Sequence, residues 1–346
     1  MAEHLSQSEL DYPFKLLEYI NGFRVSQVIF SACDLGVFDL FLRSPTPLSA
    51  EAVARELGAS EGGTERLLDV LAGFHILEVE VVEGKALYSG TDVSNLYLSK
   101  AGAKSLYDMI VYFSQTIYPL WGSLADAIRE RKNEHETNIE SEDLFKAAYR
   151  SDEEMLKFMG FMNSTWVIDG HDVVTAFDLS PFNTIIILGG CSGALAREVT
   201  REYPAATVTV LDSSAVLQAA REHFLQADDT IQFQEGDFCA GEIPPADLYV
   251  LPRIIHDWKE DMVVQLLQKI HGSCKPGGGI LIVEALLFEN KRGPVTTQIF
   301  SLNMLVQTGG QEHPPSHYCR MMATAGFHGV QVRRTGKCYD AILGIK

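Results

Sequence analysis

Beyond Pro181 the chain alternates strand-length apolar runs with amphipathic segments of helical period, and that alternation leaves few folds open. The strands read as Thr184 to Leu188, Ala206 to Leu211, Thr230 to Gln234, Asp247 to Ile255 and Gly279 to Val283, with a final pair around Val330 to Arg334 and Tyr339 to Ile345. Helices fit between them at Ala194 to Tyr203, Ala215 to Phe224, Met262 to Cys274 and Pro315 to Ala325. The pattern predicts an α/β domain whose parallel sheet is closed by an antiparallel terminal hairpin.

In such a sheet ligands bind at the carboxyl ends of the strands, so the residues that follow each strand carry the functional information. After the first strand comes LGGCSGALARE, Leu188 to Glu198, where Gly189 and Gly193 let backbone amides and a helix N-terminus face an anionic group. The second strand ends in Asp212, placed to accept hydrogen bonds from both hydroxyls of a ribose. The third ends in Gly236, Asp237 and Phe238; the carboxylate suits an adenine amino group and the ring can cover the base. Both aspartates read equally well as caps of the helices that follow.

The fourth strand runs into PRIIHDW, Pro252 to Trp258. His256 there is placed either to take a proton from a substrate or simply to hydrogen-bond at a strand end. Glu284 closes the next apolar strand, and Glu312 follows in a Gly-Gly-Gln-Glu loop.

The first hundred residues read mainly as helices. Apolar residues recur at helical spacing from Phe14 to Leu42, too densely for one exposed surface, which implies a covering partner in this chain or a second copy. From Leu48 to Ser89 the order is helix, turn, helix and hairpin, with Ser49 as a cap and a turn at Glu83-Gly84. That is the outline of a winged helix. A DNA reader needs a basic recognition helix, yet the candidate carries Glu65, Arg66 and Asp69, and a net charge of -18 would repel a phosphate backbone. Residues 104 to 180 look helical and include Tyr149 and Trp166.

No apolar run approaches the roughly 20 residues needed to cross a bilayer, and the first residues lack the basic start and apolar core of a signal peptide. A cytoplasmic protein without a membrane partner is expected. The six cysteines are scattered, with no C-x-x-C pair and no clustered His or Cys to suggest zinc, so reduced thiols and no metal are expected.

The series of strand ends, together with NGFRVSQVIFSACDLGVFDL, GTERLLD, YRSDEEMLKFM, VTAFDLSPF, FQEGDF, ADLYVL, RIIHDW, CKPGGGILIVE, SLNMLVQT and RRTGKCYDAIL, resembles the class I S-adenosylmethionine-dependent methyltransferases, specifically the caffeic-acid-type small-molecule O-methyltransferases. The resemblance covers nearly the whole chain. It implies three regions: a winged-helix-like dimerisation domain over 1–105, a helical connecting region lining the substrate site over 106–180, and a Rossmann-like S-adenosyl-L-methionine-binding domain over 181–346. Cofactor contacts are implied at Tyr149, Trp166, Asp212, Gly236, Asp237, Phe238 and Arg253, and substrate contacts at Asn303 and Gln307. His256 matches the family's general base, with Glu284 and Glu312 matching the residues that orient it. The implied assembly is a homodimer. The implied substrate is a hydroxyindole, N-acetylserotonin first, whose phenol-like hydroxyl has a pKa of about 10 and needs a base at neutral pH. Asp257, beside His256, reads as a structural neighbour.

The chain departs from the family pattern in its glycine turn. Ile187 stands where an acidic residue is usual and Cys191 where glycine is usual, so a positive φ at Cys191 would weaken cofactor binding. Asp212 is followed by two serines in place of an apolar residue and proline, and Gly309 stands where Glu is common. These departures leave two readings, a divergent methyltransferase and a catalytically weak or inactive paralogue acting as a dimeric interaction protein.

Overall fold

In the computed structural model, which describes residues 12–129 and 151–346, the chain separates into two units, Met1–Gln115 and Thr116–Lys346. The first begins with helix α1 (Phe14–Asp34), which Gly36, at φ +78°, breaks before α2 (Val37–Arg43). Strand β1 (Leu48–Ser49) leads into α3 (Ala50–Leu57), whose first turn is capped by the Ser49 hydroxyl accepting from the Ala52 N–H at 3.2 Å. Helix α4 (Glu61–Gly73) precedes a hairpin of β2 (Leu77–Val82) and β3 (Lys85–Gly90). Glu83 and Gly84 both have positive φ, the torsion a two-residue type I′ turn requires. Two short helices, α5 (Asp92–Tyr97) and α6 (Tyr107–Tyr112), complete this unit, whose sheet has the order β1-β3-β2.

Helix α1 turns few of its residues inward. Ala32 and Cys33 are its buried members, whereas Phe14 is 72% exposed, Ile20 59% and Phe23 49%. A large apolar face is therefore open in the isolated chain.

The second unit carries α7 (Leu124–Arg129), the long helix α8 (Asp152–Val174) and a seven-stranded sheet. Its strands are β4 (Thr184–Leu188), β5 (Thr207–Asp212), β6 (Gln232–Glu235), β7 (Ala246–Pro252), β8 (Cys274–Glu284), β9 (His328–Arg333) and β10 (Asp340–Ile345), in the order β6-β5-β4-β7-β8-β10-β9. The first five of that order run parallel, while β10 is antiparallel to both β8 and β9. Helices α9 (Ala194–Glu202), α10 (Ser214–His223), α11 (Glu260–Ser273), α12 (Val295–Gln307) and α13 (Pro315–Thr324) connect them.

Burial explains why the central strands β4 and β7 read as nearly unbroken apolar runs. Ile185 and Ile187 of β4 join Val208, Val210, Leu248 and Val250 in one core, while Ile186 and Leu188 join Leu211, Tyr249 and Leu251 in another. Successive residues serve opposite faces, and both faces are covered. Chain order reverses on either side of β4, which places a ligand crevice at the carboxyl ends of β4 and β7.

The structure departs from the sequence reading at β7, which stops at Pro252, three residues short of Ile255. Arg253 adopts φ +54° and turns the chain out of the pleat while its N–H still reaches the Val283 carbonyl at 2.9 Å. Residues Ile255–Asp257 then form one 3₁₀ turn. Helix α12, which carries Asn303 and Gln307, is absent from the sequence reading altogether.

Candidate active site

The glycine turn after β4 packs tightly. A Cβ on Gly189 would lie 2.6 Å from Ile254 Cδ1 and 3.7 Å from the Phe238 ring, and one on Gly190 would meet Val210 at 2.9 Å. Gly189 and Gly193 have φ of +64° and +81°, so torsion selects glycine at both and space does so as well at Gly189. Cys191, between them, has φ +54° and is buried. A side chain in that left-handed region costs about 1–2 kcal/mol. Ile187 is fully buried in the core beside Val210 and Val250, so the acidic residue of the family pattern has been replaced by ordinary packing.

Asp212 ends β5 and faces this turn. Its Oδ2 accepts from the Cys191 N–H at 3.1 Å and its Oδ1 from the Ser213 N–H at 2.8 Å, so it ties the two strand ends together instead of capping α10. Burial pushes its carboxyl up to about 6, partly offset by the N–H groups of Ser213 and Cys191. Asp237 follows β6 and is exposed, and its Oδ1 accepts from the N–H groups of Cys239 and Ala240, closing a tight turn. Phe238 is buried and stacks on Trp258, with centroids 6.1 Å apart. Gly236 donates its N–H to the Asp212 carbonyl at 3.0 Å. The glycine turn, Asp212 and the Gly236-Asp237-Phe238 segment thus converge on one crevice whose donor and acceptor set fits an adenosine ligand with a charged tail.

On the far side of that crevice, Trp166 of α8 lies 5.4 Å from the Tyr339 ring, and Phe300 of α12 stacks on the same ring at 6.1 Å. The Arg253 guanidinium sits 4.9 Å over Tyr339 and donates to its hydroxyl. Tyr339, which the sequence reading did not single out, therefore joins two residues it did. Asn303 and Gln307 stand one turn apart on α12, where side chains share a face. Asn303 Oδ1 accepts from the Trp121 indole N–H at 2.9 Å. Tyr149 lies outside the described residues.

His256 is 3% exposed on the 3₁₀ turn after β7. Neighbouring strands bring it to Glu284: the Ile255 N–H donates to Oε1 at 3.0 Å, and Nδ1 of His256 lies 2.6 Å from Oε2. Glu312 reaches the same nitrogen at 3.8 Å and accepts no hydrogen bond on either carboxylate oxygen among the described residues. Asp257 Oδ2 lies 3.4 Å from Nε2, on the opposite edge of the ring. Burial alone would push the imidazole down, but Glu284, Asp257 and Glu312 together outweigh it and hold His256 well above its ordinary range. Burial pushes the Glu312 carboxyl up to about 7, against the pull of His256.

The same loop is fastened beneath the turn. Gln311 donates its N–H to the His256 carbonyl at 3.1 Å, and a Cβ on Gly310 would lie only 2.6 Å from that carbonyl oxygen. At neighbouring Gly309, φ is +79° and a Cβ would meet nothing within 4 Å. One ligand atom each from His256, Glu284 and Glu312 lie within 4.8 Å of one another. The 2.6 Å separation of Nδ1 and Oε2 fits a hydrogen-bonded pair, since two ligands about 2.0–2.2 Å from a tetrahedral ion stand farther apart.

Sheet order and strand-end chemistry together define a class I methyltransferase. Residues 121–328 match the family model of an O-methyltransferase domain, and residues 17–100 match that of an O-methyltransferase dimerisation domain. Acetylserotonin O-methyltransferase of Gallus gallus is 51% identical over 344 residues, covering 99% of each chain, and that of Homo sapiens is 48% identical over 343 residues, covering 98% of this chain and 99% of its own. Among solved structures, human N-acetylserotonin methyltransferase in complex with SAM superposes with a TM-score of 0.90 at 46% identity, covering 100% of this chain and 99% of that one. The chain belongs to the acetylserotonin O-methyltransferase family of S-adenosylmethionine-dependent O-methyltransferases.

Proposed function

We propose that this protein methylates the 5-hydroxyl of N-acetylserotonin, yielding melatonin, with His256 as general base. The observation that carries this reading is the buried His256–Glu284 pair at 2.6 Å, in a chain 51% identical to an acetylserotonin O-methyltransferase. S-adenosylmethionine supplies an electrophilic methyl group on a sulfonium. Asp212 and Asp237 would hold its ribose and adenine ends, the Gly189 to Gly193 turn and Arg253 would flank its charged tail, and Trp166 would close the cleft. Asn303 and Gln307 orient the substrate from α12.

Glu284 accepts from Nδ1 of His256, which fixes the ring and leaves Nε2 as the nitrogen that takes the phenolic proton. Proton removal contributes about 10²- to 10⁴-fold, and holding oxygen and methyl in line contributes more. Glu312, whose carboxylate oxygens accept no hydrogen bond among the described residues, steadies the imidazolium as it forms.

The working unit in this proposal is a homodimer, in which a second copy covers the apolar face of α1. Residues 1–105 serve assembly, 106–180 line the substrate side and 181–346 bind cofactor. No nucleic acid is a partner, given the net charge of -18 and the acidic residues on α4. All six cysteines are free thiols, which suits the cytoplasm. Incubating purified protein with S-adenosylmethionine and N-acetylserotonin, and following melatonin by mass spectrometry, tests the activity. Cofactor binding by calorimetry with no product would support the inactive-paralogue reading instead.

A further inference from the structure

Three carboxylates face the His256 ring, and they differ in one respect. The side chains of Glu284 and Glu312 are 0% exposed and crowd Nδ1, whereas that of Asp257 is 23% exposed and faces Nε2. The imidazole itself is 2% exposed. A base so enclosed has a problem after each methyl transfer, because the proton it has taken must leave before the next cycle. Glu284 and Glu312 offer it no route to water. Asp257 touches both the reacting nitrogen and solvent.

We propose that Asp257 is the proton exit of the site. Resting on the assignment of His256 as base, the sequence of events is as follows. The phenolic oxygen bonds to the methyl carbon as the carbon–sulfur bond breaks and its electron pair stays on sulfur, and the hydroxyl proton passes to Nε2. That proton then moves from Nε2 to Asp257 Oδ2 across 3.4 Å and on to water, which restores the neutral ring. The Thr308 hydroxyl donates to Asp257 Oδ1 at 2.9 Å and aims the other oxygen at the ring. Asp257 acts through His256 and is thus a positioning and relay residue.

The surrounding charges set the cost of this step: against burial, the pull of His256 keeps the Asp257 carboxyl below its usual range, so the transfer to Oδ2 is uphill and is completed by release of the proton to water. The charged groups that face the ring are Glu284 from β8, Glu312 from the loop after α12, and Asp257 and Arg253 from its own segment. The three carboxylates, against burial, hold the ring in its protonated form, so it needs an outlet even before the first turnover.

The variant Asp257→Asn keeps the shape of the side chain and removes its ability to accept a proton. Its single-turnover rate, measured by rapid quench with cofactor already bound after equilibration at pH 9, is expected to stay within about twofold of the parent. Its steady-state rate in dilute buffer is expected to fall about tenfold or more, within the range of one proton-transfer group. Raising the concentration of imidazole buffer should restore it, and Asp257→Glu should retain most of the activity. A steady-state rate equal to the parent in dilute buffer, or a loss that buffer does not relieve, overturns the proposal. His256→Ala separates the two readings: parental single-turnover methylation in that variant would overturn the base assignment itself, whatever Asp257→Asn does.

Discussion

Cys191 donates its backbone N–H to Asp212 Oδ2 at 3.1 Å from a left-handed backbone, φ +54°, that its side chain makes costly. Replacing it with glycine keeps the hydrogen bond and removes the strain. If this strain is larger in the complex than in the free protein, Cys191→Gly should tighten cofactor binding by up to about 30-fold, corresponding to 1–2 kcal/mol. Calorimetric titration with S-adenosylmethionine checks this, and unchanged affinity would place the strain equally in both states. Ile187→Asp should not help, because position 187 is fully buried among apolar side chains and a carboxylate there has no partner.

If Asp212 holds the cofactor as proposed, binding should carry a pH dependence of its own. The Asp212 carboxyl is raised to about 6, so it is ionised above that value and becomes protonated as pH falls through it. Affinity for S-adenosylmethionine is expected to be level above pH 7 and to drop below 6, whereas Asp212→Asn should be weaker by about tenfold or more and should lose that drop. Titrations at pH 5, 6, 7 and 8 on both proteins provide the comparison.

His256→Ala should reduce turnover about 10²-fold or more with cofactor affinity nearly unchanged. Glu284→Gln and Glu312→Gln should each cost less, since they disturb the ring without deleting it. If His256 is the base, activity requires the neutral imidazole, and the folded pKa is raised, so the parental rate should climb with pH along a limb lying above the ordinary histidine range. Neutralising Glu284 removes a charge that raises His256, so the Glu284→Gln limb should shift to lower pH.

The short Nδ1 to Oε2 distance leaves no room for an ion between His256 and Glu284. Dialysis against a chelator should leave melatonin formation unchanged, and added magnesium or zinc should not stimulate it. A loss that one particular metal restores would require the pair to open around an ion.

Ile20→Glu with Phe23→Glu on the exposed face of α1 should convert a dimer into single chains, read as molar mass by light scattering. The parent protein running as a single chain at micromolar concentration would show instead that this face needs no second copy.

Strand positions were legible in the sequence because burial on both faces writes a strand as an unbroken apolar word, and Thr184 to Leu188 was read to the residue. The end of β7 was not, since Ile254 and Ile255 are as apolar as the strand before them and only the torsion of Arg253 ends it. Helix α12 was hidden for a related reason. Its sequence, VTTQIFSLNMLVQ, mixes β-branched residues with no charges, and only two of its residues are buried. At the candidate site, His256 and Glu284 were each visible as a polar residue after an apolar run, and Glu312 as a carboxylate in a Gly-Gly-Gln-Glu loop. The position of Asp257 at Nε2 was not visible, because adjacency in sequence does not reveal which ring nitrogen a neighbour faces.

Gly309 and Gly310 sit side by side under unlike constraints, and the difference sets how this loop can vary. At Gly309 the obstacle is torsional, a cost of about 1–2 kcal/mol that a folded protein can absorb. At Gly310 it is spatial: any side chain must displace the carbonyl of His256. Random substitution across the loop should therefore recover active clones altered at 309, asparagine foremost for its tolerance of positive φ, and almost none altered at 310. The loop can drift by one residue, and the adjoining residue keeps that drift from reaching the imidazole.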